Sequence, residues 1–153
     1  MKFKEVLPTD KQVMKLMEEL DAFQIGTYGA ENCKNLDSTE ALLSQNAYML
    51  GIYDKDDLVG MGAIKRVENY AEIKRMYICQ SHRGLGLADT LLDRLESYMF
   101  EKGINTVCLE TGIYHYSALK LYERHGYEVV KSFGYYTAND FSVYMQKKRF
   151  PKS

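Results

Sequence analysis

No apolar run in this sequence approaches the ~20 residues that a membrane-spanning helix needs, and the opening MKFKEVLPTD lacks the apolar centre of a signal peptide. A cytoplasmic protein is expected. Charge of one sign is not in excess either: a net charge of −1 and a pI near 6.3 supply no basic stripe for nucleic acid. Cysteine is scarce. Cys33, Cys79 and Cys108 are odd in number and show neither C-x-x-C nor Cys/His ligand spacing, which argues against a disulfide framework and against a metal site. They read as reduced, mostly buried thiols. There is no repeat, linker or low-complexity segment. What is there is an ordinary globular composition, 46% apolar and 27% charged over 153 residues. That suits one domain, residues 1–153, with a single core.

Hydrophobic periodicity divides the chain into short elements. Lys2–Leu7 alternates as a first strand that Pro8 stops. A helix follows in which Thr9 and Gln12 form a capping box and Val13, Leu16, Met17 and Leu20 share one face. The stretch Phe23–Asn35, with Gly26 and Gly29, has no clean period and reads as a loop or broken helix. A second short helix is expected next, capped by Asp37 with Glu40 three residues on and carrying Ala41, Leu42 and Leu43. Ala47–Tyr53 and Leu58–Val67 form a hairpin across a polar turn, and Tyr70–Ile78 completes a three-strand meander. Gly60 and Gly62, on one face of the middle strand, leave room for close packing above it. A helix with Ala88, Leu91, Leu92, Leu95 and Met99 on one stripe then ends at Gly103. Thr106–Glu110 is a strand, so strand, loop, helix and strand make a parallel crossover. A further helix at about Ser117 to His125 ends at Gly126, and Tyr127–Phe133 and Phe141–Lys147 supply two last strands. The fold class expected is α/β (α+β), with a mixed sheet of about seven strands and about four helices.

The chemistry gathers at Ala71–Leu95, where a strand runs into a glycine loop that opens a helix. Residues Gly84 to Ala88 carry too few side chains to shield their backbone, so their N–H groups can converge in front of the helix start. Unpaired amides and the macrodipole favour an anion there by roughly 0.3–1 kcal/mol. A phosphate fits this description. Two nucleotide motifs fail on spacing: Asp89 stands where a dinucleotide fingerprint needs its third Gly, and no Gly-Lys-Ser/Thr follows as a P-loop requires.

Arg83-Gly84-Leu85-Gly86-Leu87-Ala88 fits instead the pattern (Gln/Arg)-x-x-Gly-x-(Gly/Ala), and ALKLYERHGY at 118–127 fits A-x-x-L-Y-x-x-x-G-(F/Y). With the order of elements, these motifs resemble the GNAT superfamily of acyl-CoA-dependent N-acetyltransferases over nearly the whole chain. LETG at 109–112 and FGYY at 133–136 further resemble a bacterial subgroup acting on small molecules. The resemblance implies the GNAT fold, acetyl-CoA as cosubstrate without a metal, and a small-molecule amine as acceptor. Neither nucleic acid nor membrane is implied as a partner, and a homodimer is compatible with it. It also implies a backbone pairing of Met76, Tyr77 and Ile78 with the pantetheine arm. Arg83, Gly84, Leu85, Gly86, Leu87 and Ala88 would hold the pyrophosphate, and Ser117 would join this cofactor-binding set. Two residues depart from the pattern: Gln80 stands where many relatives have Pro, and His115 where Asn or Gln is frequent.

An amine that attacks a thioester needs a neutral nitrogen, a stabilised oxyanion and a proton for the departing thiolate. By resemblance, Tyr122 supplies that proton. Glu72, eleven residues before Arg83, takes one from the amine through water, and a backbone N–H near Tyr77 meets the oxyanion. Read from the residues alone, Glu72 can equally be a partner of Lys74 on the same strand face, and Tyr122 a packing residue. Glu110 is the alternative carboxylate for binding or deprotonating the amine. Tyr114, Tyr116, Tyr135 and Tyr136 are candidates for the acceptor pocket. Two other functions share the motifs: acetylation of a protein N-terminus or lysine, which calls for an open groove, and a CoA-binding sensor, which would release no thiol with any amine.

Overall fold

In the computed structural model, residues 1–33, 42–43, 46–134, 136 and 138–149 are described. The elements run β1 (Lys2–Glu5), α1 (Lys11–Tyr28), β2 (Ala47–Asp54), β3 (Asp57–Val67), β4 (Tyr70–Ile78), α2 (Leu87–Glu101), β5 (Thr106–Gly112), α3 (Tyr116–Arg124), β6 (Glu128–Val130) and β7 (Ser142–Lys148). The strands form one sheet in the order β1-β2-β3-β4-β5-β7-β6. β4 and β5 pair in parallel and every other neighbouring pair is antiparallel. This is the expected mixed seven-stranded α/β sheet. Among the described residues there are three α-helices. The expected helix capped by Asp37 and Glu40 and carrying Ala41 falls on residues outside those described, although Leu42 beside it is buried.

The core is split in two by the sheet, a correction to the single core expected. One half lies under α1, where Val13, Leu16, Met17 and Leu20 meet Met49, Leu58, Met61 and Ala63. The other lies under α2 and α3, where Leu91, Leu92, Leu95 and Met99 meet Ile52, Ile64, Val107 and Leu109. Both halves follow from alternation: successive strand residues point to opposite faces, and each helix turns one apolar stripe inward. The room above Gly60 and Gly62 is taken by the protein itself. A Cβ on Gly62 would lie 2.6 Å from Met76 Sδ and 3.0 Å from Leu91, and one on Gly60 would lie 2.8 Å from Ile78.

Three local expectations change. α1 starts at Lys11 with Asp10 as its cap residue, so Thr9 and Gln12 make no capping box. Gln12 instead ties the helix to the β2–β3 turn, donating to the Asp56 carbonyl at 3.0 Å and accepting from the Leu58 N–H at 2.8 Å. Gln12→Ala leaves that half-buried N–H without its partner and should lower stability by ~1–2 kcal/mol, read as a drop in the urea midpoint. An unchanged midpoint would show that water replaces both bonds at no cost. The helix then continues unbroken through Gly26 to Tyr28 and stops at Gly29, whose φ of +83° closes it. Finally, the strand expected over Tyr127–Phe133 shrinks to Glu128–Val130. Tyr127 is drawn into the core, where its hydroxyl donates to Glu96 at 2.6 Å, with Lys147 on the other oxygen at 2.8 Å.

Candidate active site

A cleft opens because two strands part. β4 and β5 pair only over Ala71–Ile73 and Val107–Leu109, after which each runs on alone, β4 to Ile78 and β5 to Gly112. The register of β4 against β3 slips by one residue in the same region, between Met61 and Ala63. Opposite the slip, Arg75 has a left-handed φ of +58°, uncommon for a residue with a side chain. An ion pair from Arg75 to Asp21 on α1 helps to hold it. The resulting cavity, about 690 Å³, lies in the size range of small-molecule sites.

One end of the cavity is formed by the end of β4, the glycine loop and the start of α2. Cys79 N–H donates to the Val59 carbonyl at 2.8 Å, which fixes the alternation of the antiparallel ladder: Tyr77 turns its peptide toward β3, while Met76 and Ile78 turn theirs toward the open side. Of the backbone N–H groups near Tyr77, those of Met76 and Ile78 are therefore the ones on the open side. Tyr77 contributes its ring, which lies 5.7 Å beneath the Arg83 guanidinium. Arg83 in turn donates from Nε to the exposed Ile78 carbonyl at 2.9 Å. The loop then turns through Gly84 and Gly86, with φ of +78° and +76°, and in front of both glycines the space is open. The first helical bond of α2 is Thr90 N–H to the Gly86 carbonyl, 3.2 Å, so the amides of Leu87, Ala88 and Asp89 lie ahead of the ladder. Asp89 is held to α3 by His125 at 2.9 Å and Arg124 at 3.0 Å, contacts that depress its carboxyl below the usual range, His125 foremost. Ser117, at the start of α3, lines the same wall.

The catalytic candidates separate in depth. Tyr122 lines the cavity from α3, buried, and its hydroxyl makes no hydrogen bond to any described residue. Burial pushes that hydroxyl well above the ordinary tyrosine range. Glu72 is 2% exposed and does not line the cavity. Its Oε2 receives Lys74 Nζ at 2.8 Å and the Tyr136 hydroxyl at 3.2 Å, and Lys74 also reaches Tyr136 at 2.9 Å. Lys74 and Tyr136 are the members of this group that face the cavity, as does Glu110 from β5.

The far end is aromatic, and much of it comes from residues that the sequence had placed in a loop. Leu20, Phe23, Gln24 and Tyr28 all line the cavity from α1. Their i, i+3, i+4, i+8 spacing was the signal, masked by Gly26. The Tyr28 hydroxyl accepts from Tyr114 N–H at 3.0 Å and occupies the space over Gly112, where a Cβ would meet it at 1.8 Å. Tyr28 stacks on Tyr114 and meets His115 and Phe141 edge-on, while His115 stacks on Phe23. His115 is thus a member of the ring cluster, its Nε2 buried without a hydrogen-bond partner among the described residues, and burial lowers its pKa. Tyr114, Tyr116 and Tyr136 line the cavity, while Tyr135 lies outside the described residues.

Comparison with known proteins finds the same architecture. A structure from Klebsiella pneumoniae described as an acyl-CoA N-acyltransferase superposes with a TM-score of 0.83 at 34% identity, covering 97% of both chains. PaiA N-acetyltransferase from Thermoplasma acidophilum, solved with coenzyme A, superposes at 0.76 over 97% of this chain and 98% of its own, and at 23% identity shares the fold. In sequence, the IAA acetyltransferase of Azospirillum brasilense is 32% identical over 142 residues, 92% of each chain. The profile of the Acetyltransferase (GNAT) family matches residues 13–127. On this match and that degree of identity, the chain belongs to the GNAT family of acetyltransferases.

Proposed function

We propose that this protein transfers the acetyl group of acetyl-CoA to a primary amine of a small molecule, by direct attack while both are bound. The observation that carries this reading is the continuous track from the open edge of β4 at Met76 and Ile78, through the glycine loop, to the start of α2. An extended amide-bearing arm can add to such an edge, and a pyrophosphate can sit on such a loop. The residues fit coenzyme A: Met76 and Ile78 offer peptide groups, and Gly84, Leu85, Gly86, Leu87 and Ala88 offer a bare backbone with open space before it. Arg83 and Ser117 flank them and Tyr77 supplies its ring to the wall. When bound, the cofactor supplies a thioester carbon open to attack and a thiolate that must leave. The relatives support a small acceptor: the covered Azospirillum relative is an IAA acetyltransferase, and two structures of the same fold are aminoglycoside 6'-acetyltransferases.

In this reading Tyr122 gives the departing sulfur its proton and Met76 or Ile78 N–H steadies the oxyanion. Glu110, which faces the cavity, receives the amine and its proton. Glu72 acts one layer back, holding Lys74 and Tyr136 in place. The three described thiols are free, as a reducing compartment such as the cytoplasm keeps them, and no described helix is long and apolar enough to cross a membrane.

Calorimetric titration with coenzyme A, followed by thiol release in the presence of amines, tests the reading. Binding with no thiol released from any amine would leave a sensor. The two carboxylates separate by pH profile. Glu110→Gln should cost about 10²–10⁴-fold in rate near neutral pH and less at alkaline pH, where the amine is already deprotonated. Glu72→Gln should lower the rate by one factor at all pH values and also lower the melting temperature, because it strips a buried ammonium of a charge partner, ~3–5 kcal/mol. The reverse pattern, a pH-dependent loss with unchanged stability, would return Glu72 to the role of base.

A further inference from the structure

The start of α2 carries an acid of its own. Asp89 is the third residue of the helix, in a first turn whose cap residue is Gly86, and it lines the cavity. An acid at that position is drawn to the positive end of the helix and can accept from the loop amides itself. It would then compete with a phosphate for those amides, and a carboxylate beside a pyrophosphate also repels it.

Asp89 is turned away instead, and both of its oxygens bond to α3. Oδ1 meets Arg124 Nη2 at 3.0 Å and His125 Nε2 at 2.9 Å, and Oδ2 meets the same Arg124 nitrogen at 3.3 Å. Arg124 stands in the last turn of α3 and His125 at its cap, where the negative end of a helix favours cationic side chains. The His125 side chain is 12% exposed, and its other ring nitrogen, Nδ1, meets Asp93 at 3.3 Å. Asp93 lies one turn beyond Asp89 on α2, and this i, i+4 spacing lets one ring bridge the two carboxylates. Asp89 stays ionised at neutral pH, since its contacts, the His125 hydrogen bond foremost, lower its carboxyl.

Resting on the coenzyme A site proposed above, we propose that His125 and Arg124 are positioning residues for the cofactor: they hold the Asp89 carboxylate on α3, so that the amides of Leu87, Ala88 and Asp89 stay open to the pyrophosphate. Neither side chain needs to touch the cofactor to do this. Arg124, whose charge offsets that of Asp89, also weakens the repulsion of a phosphate. With the pair removed, Asp89 is free to return to the helix start as an internal anion, and the cofactor has to displace it.

Calorimetric titration with coenzyme A tests this. Replacing both residues, Arg124→Ala with His125→Ala, should weaken binding about tenfold, the scale of one like charge brought near the phosphates at a half-exposed site. The gap to the native protein should narrow as salt is added. Adding Asp89→Ala to that variant should bring the affinity back to within about twofold of native, which lost packing between the helices would not allow. His125→Ala alone, at a residue that does not line the cavity, should weaken binding about threefold and be restored in the same way by Asp89→Ala. This pair carries the comparison if the double replacement does not fold. Native affinity in these variants, or a loss that Asp89→Ala does not restore, would overturn the proposal while leaving the cofactor site standing. If the native protein itself binds no coenzyme A, the proposal and the site fall together.

Discussion

Tyr122→Phe is expected to leave acetyl-CoA binding nearly intact and to cut kcat about ten- to a thousandfold, equivalent to roughly 1.4–4 kcal/mol of transition-state stabilisation. The structure makes this a clean deletion. The Tyr122 hydroxyl bonds to no described residue, so its loss leaves no orphaned partner. The ring keeps its edge contact with Tyr127 at 5.7 Å and its place in the core. Because burial raises the hydroxyl well above the ordinary tyrosine range, it stays protonated across neutral and mildly alkaline pH, so the phenol and not the phenolate faces the departing sulfur. A coenzyme A thiol ionises near the value of cysteine, about 8.5, so a bare thiolate can leave, but more slowly than a protonated sulfur. The loss should therefore appear in kcat with KM for acetyl-CoA little changed. A Phe variant with full kcat, measured where chemistry limits turnover, would make Tyr122 a packing residue and water the proton donor.

Gly86→Val should weaken coenzyme A by about a hundredfold or more, the sum of two or three charge-assisted bonds to backbone amides that a branched side chain would block. Part of any effect will be strain, since a side chain at φ of +76° costs roughly 1–2 kcal/mol. Gly103 supplies the control. It has φ of +84°, and a Cβ there also meets nothing within 4 Å, but it closes the far end of α2 and does not line the cavity. Gly103→Val should therefore lower stability to a similar extent and leave coenzyme A affinity unchanged. Arg83→Ala should fall between the two, because its exposed guanidinium is screened by salt. If calorimetry gives Gly86→Val the same affinity as the native protein, the loop is a packing turn and the anion sits elsewhere.

The parts of this protein written in its sequence are those governed by neighbours within a turn or two. Alternation set the strands and the apolar stripe set α2, both confirmed in place by the fold, and the glycine loop stands between β4 and α2 as its sequence position required. Where a local rule met a distant partner, the partner won. Gly26 should break α1, at ~1 kcal/mol, yet the helix runs through it because Tyr28 docks on Tyr114, 86 residues away. Gln12 left its expected cap for the hairpin turn 44 and 46 residues on.

The site divides along the same line. Tyr122 and the loop glycines, singled out by their motifs, do line the cavity, since a motif on one helix or one turn fixes its own geometry. The fate of Glu72 could not, because whether a strand carboxylate faces a cavity or a lysine depends on what packs against the sheet. Here Tyr136, 62 and 64 residues from its two partners, closes over the pair. Nor could the sequence show that β4 and β5 part after three paired residues, the event that makes the cavity. The left-handed Arg75 that accompanies it carries no local signal, because a residue with a side chain holds that conformation only where surrounding contacts such as the pair with Asp21 compel it. Local sequence thus determined the elements and the chemistry each can bear, and tertiary packing decided which of those groups face one another across the cleft.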